Sequence, residues 1–436
     1  MITSVLITLS LVILMTATDT SGRVVASSPN VVFSGIDFVR FHNTARTSFH
    51  ALGRQWAFYS GSGLEISYAT SIDGEAWQLY NTHKDATYLG SYIYDYLAAD
   101  TNGTYVFVVA MKPDYSSNSR GNLVQFHYGK LAIDGTISWR GDFNVTSGIN
   151  GICCYGTSYL RLDTSSHPFL SFSNSSATYA AWSIGGYSGW DVLELDKAPN
   201  DVTSLVQLSN GQMYVAYAST RSNTMFGRLW NGRTWEKEEV VTTSQFEKPG
   251  VSRVFLFQEK GNNIVAFYQG NCQEACAYSI ERTTRRFSSS TWSVSQTVLN
   301  ASSQNTQLFT ITKDYRTDSY YLTTYGESKG FASVNTYLET HHLIRQVDQF
   351  TMNVSPCGCS GGFPSLTSDM LSSHASKNGA DVFNVYYVMA IGNISEWLFL
   401  SQTFHVTPHI MDDSNAWKVH PSSKLDSMIR QTRVRA

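Results

Sequence analysis

Four charged residues stand at matching places along this sequence. Arg46 lies seven positions before a turn glycine, Gly53, and Asp95 and Arg253 each lie eight before Gly103 and Gly261. Arg161, in "SYLRL", occupies the equivalent segment of another stretch. A guanidinium presents a planar fork of donors, so several converging on one pocket suit a carboxylate. The plainer chemistry is a local ion pair between neighbours, Arg46 with Asp95.

Other reactive constellations are missing. No H-E-x-x-H or Walker A sequence occurs. His341 and His342 are adjacent on an expected strand, where alternation sends their rings to opposite faces. "CC" at 153–154 and "CGC" at 357–359 would offer four thiolates to zinc, but they fall in distant parts of the chain. Export, argued below, favours their oxidation. The expectation is therefore no metal and no cofactor.

These side chains need a scaffold, and the sequence repeats one. The stretch "VTSLVQLSNGQMYVAYASTRSNTMFGRLWNGRTWEKEEVVTT" from Val202 to Thr243 reads as four short alternating strands separated by three turns. Its second strand, "GQMYVAY", has counterparts in "GRQWAFYS", "GTYVFVVA", "HPFLSFS", "NNIVAFYQ", "DSYYLTTY" and "DVFNVYYV". Fourth strands open at Trp77, Trp139, Trp190, Trp235, Trp292 and Trp417, with Phe350 in the sixth copy. Copies spaced by roughly 45–68 residues predict an all-β β-propeller of seven four-stranded blades. The strand-like "NVVFSGIDFVRF" either completes the last blade or braces the ring, so six and eight blades stay open.

The turn "SIDGEAW" brings Ser71, Asp73, Gly74 and Trp77 together. An Asp there accepts hydrogen bonds from turn N–H groups, Gly supplies positive φ, and Trp packs between neighbouring blades. This resembles the Asp-box, or BNR repeat, of sialidase-like propellers, one residue short and with Ala where Thr is usual. The resemblance implies that Asp73 is structural, on the face opposite the functional loops. It implies a carboxylate-binding arginine set, for which Arg46, Arg161 and Arg253 are the candidates. It also implies a Tyr–Glu nucleophile pair with an Asp acid/base, and neither is evident. The family's Phe/Tyr-Arg-Ile-Pro opening is absent too: "FVRF" lacks Ile-Pro, and Arg46 is followed by "TS". The expected function is recognition of an extracellular glycan or protein through the loop-rich face. The alternative is a sialidase-type glycoside hydrolase.

Composition bounds the partners. The chain has 436 residues, 15% of them charged, and a net charge of −3, which gives no surface for nucleic acid. Residues 1–22 read as a signal peptide with an apolar core from Val5 to Met15, too short to span a bilayer; a retained signal-anchor is the alternative. Residues 23–45 form an N-terminal strand or brace, 46–420 the propeller, and 421–436 a basic tail. The mature chain is expected to be extracellular, secreted or at the cell surface, with no membrane span; its oligomeric state is left open. Six sequons, at Asn102, Asn144, Asn174, Asn300, Asn353 and Asn393, are candidate glycan acceptors. Cys272 and Cys276 flank a hairpin tip and are the first expected disulfide, Cys357 with Cys359 the second, and Cys153 with Cys154 the third.

Overall fold

A short strand with one apolar face needs a partner on that face, and here successive strand sets supply it to each other. The computed structural model describes residues 23–26, 30–35, 46–60, 65–74, 76–84, 96–114, 121–145, 158–173, 177–197, 202–219, 224–243, 253–272, 278–300, 308–315, 317–328, 331–340, 343–353, 365–368, 381–391 and 396–407. Within them, six antiparallel four-stranded meanders follow in chain order, over residues 48–84, 96–144, 158–196, 203–242, 254–299 and 308–353. The last strand of the fifth is broken into Thr291–Trp292 and Gln296–Leu299, both paired with Tyr278–Arg286. First strands of consecutive meanders are neighbours, so the sheets stand radially and their inner strands line a common axis. The fold is an all-β propeller, with these six meanders as its four-stranded blades.

A further sheet joins the two ends of the described chain. Ser365–Ser368, Asp381–Ile391 and Glu396–Thr407 are its consecutive strands. Arg23–Ala26 and Asn30–Gly35 then lie end to end along Glu396–Thr407, matching Thr407–Phe404 and Ser401–Trp397 in turn. The four-stranded unit thus recurs six times and not the seven expected. The seventh sheet departs because its outer position is filled by two pieces from the other end of the chain. Asn30–Gly35 thus completes the last sheet, one of the two placements its sequence left open. Trp417, counted as the opener of a seventh fourth strand, lies outside the described residues.

Second strands are covered by blades on both sides and read as nearly continuous apolar runs, as strands buried on both faces do. Pro168–Ser173 and Met213–Ser219 are buried throughout, whereas the outer strand Ile137–Asn144 alternates between half-buried and exposed. Core side chains gather between blades. Phe49, Trp56 and Tyr68 of the first blade join Val106, Val108 and Leu131 of the second. Tyr214 and Ala216 of the fourth join Val254, Ile264 and Tyr268 of the fifth.

The turn after the third strand explains its own sequence. Ser71 Oγ donates to Asp73 Oδ1 at 3.1 Å and accepts the Gly74 N–H at 2.8 Å, while Asp73 Oδ1 also accepts the Ala76 N–H at 3.0 Å. Gly74 has φ of 77°, the left-handed region that favours glycine. The Trp77 indole N–H donates to the Gly74 carbonyl at 3.1 Å, and its ring meets Tyr386 of the end-joining sheet edge-on at 5.8 Å. Later blades repeat the device. Trp190 donates to the Tyr187 carbonyl at 2.9 Å and leans on Phe126, Trp235 packs on Phe169 and Trp182, and Trp292 donates to Tyr214 Oη at 3.2 Å. Each of these tryptophans reaches back to the preceding blade. Asp134 repeats the role of Asp73, accepting the Thr136 N–H at 2.9 Å and its hydroxyl at 2.7 Å. Those bonds hold its carboxyl below the usual range. Asp73→Ala is expected to destabilise the protein by up to about 1 kcal/mol, read as a lower urea midpoint at constant m-value.

Candidate functional site

The inner strands enclose a cavity of about 690 Å³, a size usual for small-molecule sites. Its wall is built by residues from the first strands of all six blades and by the turns that follow them, Asn102–Gly103 and Asp163–Ser166 among them. The site therefore lies toward the turn end of the channel. The connections of the opposite, loop-rich face, where function was expected, lie largely outside the described residues. With them go Asp95, Cys153, Cys154, Cys276, Cys357, Cys359, Asn174 and Asn393. Cys272 ends a described strand, and its partner across the ladder is Tyr278.

Two of the three candidate arginines reach the cavity. Arg46 Nη1 donates to Asp100 Oδ1 at 2.8 Å and its Nε to the Ser48 carbonyl at 3.1 Å. The Arg46 carbonyl accepts the Ala99 N–H at 2.7 Å, so the first two blades are tied by backbone and charge together. Arg161 lays its guanidinium over the Tyr159 ring at 5.0 Å and donates from Nη1 to the Leu160 carbonyl at 3.2 Å. Arg253 does not line the cavity. It is buried and donates to the Phe309 carbonyl of the next blade at 3.0 Å.

Sequence reasoning missed four contributors. Asp100 carries the ion pair that was sought at Asp95; the available signal was its position at the end of the inner strand, just before the Gly103 turn. Asp163 organises its own turn, with Oδ1 accepting the N–H groups of Ser165 at 2.8 Å and His167 at 2.7 Å. Its Oδ2 sits 3.1 Å from His167 Nδ1. Lys313, only 1% exposed, donates to the Gln258 carbonyl at 2.6 Å and pairs with Asp318 at 2.8 Å. Tyr315 keeps half of its surface accessible. Burial of its hydroxyl raises the pKa, and the Arg161 and Arg46 charges oppose that rise.

Tyrosine–glutamate pairs do exist, but away from the cavity wall. Tyr217 donates a short hydrogen bond to Glu238 beside Arg228, and burial, then Glu238, pushes its hydroxyl pKa upward. Tyr320 donates to Glu259 at 2.9 Å. A hydroxyl held protonated in this way is a weaker nucleophile. Among the described residues no group of three or more His, Cys, Asp or Glu is placed to hold a metal ion, and no helix is long and apolar enough to cross a membrane.

No protein-family model matches the chain, and no curated protein matches it. Solved structures do. A Hadza microbial sialidase is 11% identical over 64% of this chain, with a TM-score of 0.42; the chain spans 63% of that protein. A polysaccharide lyase is 8% identical, covering 89% of this chain and 100% of its own, with a TM-score of 0.45. An endo-arabinase from Bacteroides thetaiotaomicron is 11% identical, covering 73% and 96%, with a TM-score of 0.38.

Proposed function

We propose that this chain is an extracellular propeller that binds a glycan in its central channel without hydrolysing it. One observation carries the reading: both described carboxylates on the cavity wall are already engaged. Glycoside hydrolysis commonly needs two carboxyl groups across one bond, about 5–10 Å apart, one of them able to give up a proton. Asp100 is held by the Arg46 guanidinium and by the Thr101 N–H at 2.9 Å. Asp163 is held by its turn and by His167. The rest of the wall includes the exposed ring of Tyr315 and the part-buried amide of Gln207, groups that suit sugar rings and their hydroxyls.

Export, disulfide formation and N-glycosylation belong to the same proposal. Asn102, Asn144 and Asn300 are exposed, and Asn102 also lines the cavity. Its Nδ2 donates to Ser166 Oγ at 3.2 Å, so a glycan there would stand at the rim. The hydrolase alternative keeps one favourable observation, the joint presence of Arg46 and Arg161 on the wall. A glycan array on the purified protein, run beside a fluorogenic sialoside assay, is expected to show binding without turnover. Hydrolysis that disappears with Arg161→Ala would reverse the assignment.

A further inference from the structure

The seam between the second and third blades carries aromatic rings that stay half-buried. At its inner end two cavity-lining turns meet, where Asn102 Nδ2 donates to Ser166 Oγ at 3.2 Å. Asn102 Oδ1 also accepts the Tyr105 N–H at 2.8 Å, so Tyr105 stands next outward from the rim. The rings continue from there. Tyr128 lies 6.5 Å from Tyr105 and 4.7 Å from Tyr187, and beside it Phe143 lies at 6.2 Å with its plane 13° away. Gly141 leaves room for them: a Cβ there would stand 3.0 Å from the Phe143 ring and 3.1 Å from that of Tyr128. Arg140 is the extra residue of a β-bulge, which aims its guanidinium over the Tyr105 ring at 5.7 Å. Lys130 stands opposite Tyr105 in the ladder and shares its face. Burial, then Tyr128 and Tyr105, raise the pKa of the Tyr187 hydroxyl, which keeps it a hydrogen-bond donor. Later seams use the same residue types for packing. There Arg285 over Tyr214 and Arg282 over Tyr320 are largely buried and bound to Glu239 and Glu339. Arg140 and Lys130 are exposed instead, and form no ion pair among the described residues.

We propose that this seam continues the central site outward, so that the ligand is an oligosaccharide chain and not a single terminal sugar. The inference deepens the glycan-binding reading above and rests on it. Successive strands of a blade step outward by about 4.8 Å, so the path from rim to outer strand measures about 14 Å, roughly three sugar rings. The aromatic faces take the apolar faces of such rings, while the phenols, Lys130 and Arg140 meet their hydroxyls. Continuity with the cavity selects this occupant: a chain held at Asn102 and Ser166 reaches Tyr105 with its next ring.

Isothermal titration tests this with cello-, chito- and hyaluronan oligosaccharides, each as a ladder from disaccharide to octasaccharide. The full chain carries Thr104→Ala throughout, so that no glycan on Asn102 covers the path. In the ladder that binds, affinity is expected to rise about tenfold with length and then level off. Tyr128→Leu together with Arg140→Ala should flatten that rise while disaccharides still bind. A ladder already flat with the seam unchanged, or a rise that survives both substitutions, would overturn the chain-binding path and leave channel binding intact. Failure of every ladder to bind would overturn both readings. A dimer that Tyr128→Leu dissolves would assign the seam to a second copy of the chain and overturn the proposal. Should the double variant not fold, Arg140→Ala alone, which removes only an exposed side chain, decides by the same criterion.

Discussion

Gly227→Ala is expected to destabilise the protein by about 3 kcal/mol, at the upper end of the usual cost of overpacking. Gly227 lies in the third strand of the fourth blade, Thr224–Trp230, and a Cβ built on it would stand 2.1 Å from Tyr214 Oη and 2.5 Å from its Cζ. The ring cannot easily yield. Tyr214 is fully buried between the fourth and fifth blades, its hydroxyl accepts the Trp292 indole N–H at 3.2 Å, and the Arg285 guanidinium covers its ring at 5.4 Å. Moving it would open that inter-blade contact. Urea unfolding measures the effect, and a midpoint equal to that of the native protein would show that Tyr214 has room to swing aside.

Arg282→Met should cost as much or more, about 3–5 kcal/mol, because it leaves buried charge without its counterpart. Arg282 bridges two blades, with Nη1 at 2.8 Å from Glu339 Oε1 and Nη2 at 2.9 Å from Glu259 Oε1. Glu339 is 1% exposed and Glu259 16%. Tyr320 donates to the same Glu259 oxygen, and burial, then Glu259, pushes its hydroxyl pKa far upward. The guanidinium also lies over Phe267 at 5.8 Å and Tyr320 at 5.7 Å, contacts that a methionine replaces only in part. Adding Glu339→Gln to Arg282→Met should recover part of the loss, since the stranded carboxylate is then neutral. A double-mutant cycle reads the coupling directly. A coupling near zero would mean that the pair contributes through packing alone.

What could be read from the sequence was what is encoded locally. Strand runs and the Ser71–Trp77 turn depend on neighbours a few positions away, so alternation, Gly74 and the indole were enough to place them. The inward charges were half legible. Arg46 and Arg161 were found on the wall, but Arg253 was not separable from them by type. The turn after Arg253 spans residues 259–263 and the one after Arg46 only 52–53, so counting back from a turn glycine does not compare equal strand positions. Arg253 meets the Phe309 carbonyl instead. Lys313 and Tyr315 gave no signal, because their role depends on which inner strands share the channel. The blade count failed for a related reason: the pairing of Asn30–Gly35 with Glu396–Thr407 joins segments from opposite ends of the chain.

That pairing sets an order of assembly. Each meander closes over a few dozen residues and can form as soon as it is synthesised, whereas the last seam must wait for Glu396–Thr407 and then find strands made near the start. Contacts of such long sequence separation carry the largest loop-closure entropy and the slowest folding rates. Until that seam forms, the first and last sheets of the nascent chain each lack a neighbour over one apolar face, and this interval is when it is most exposed to aggregation.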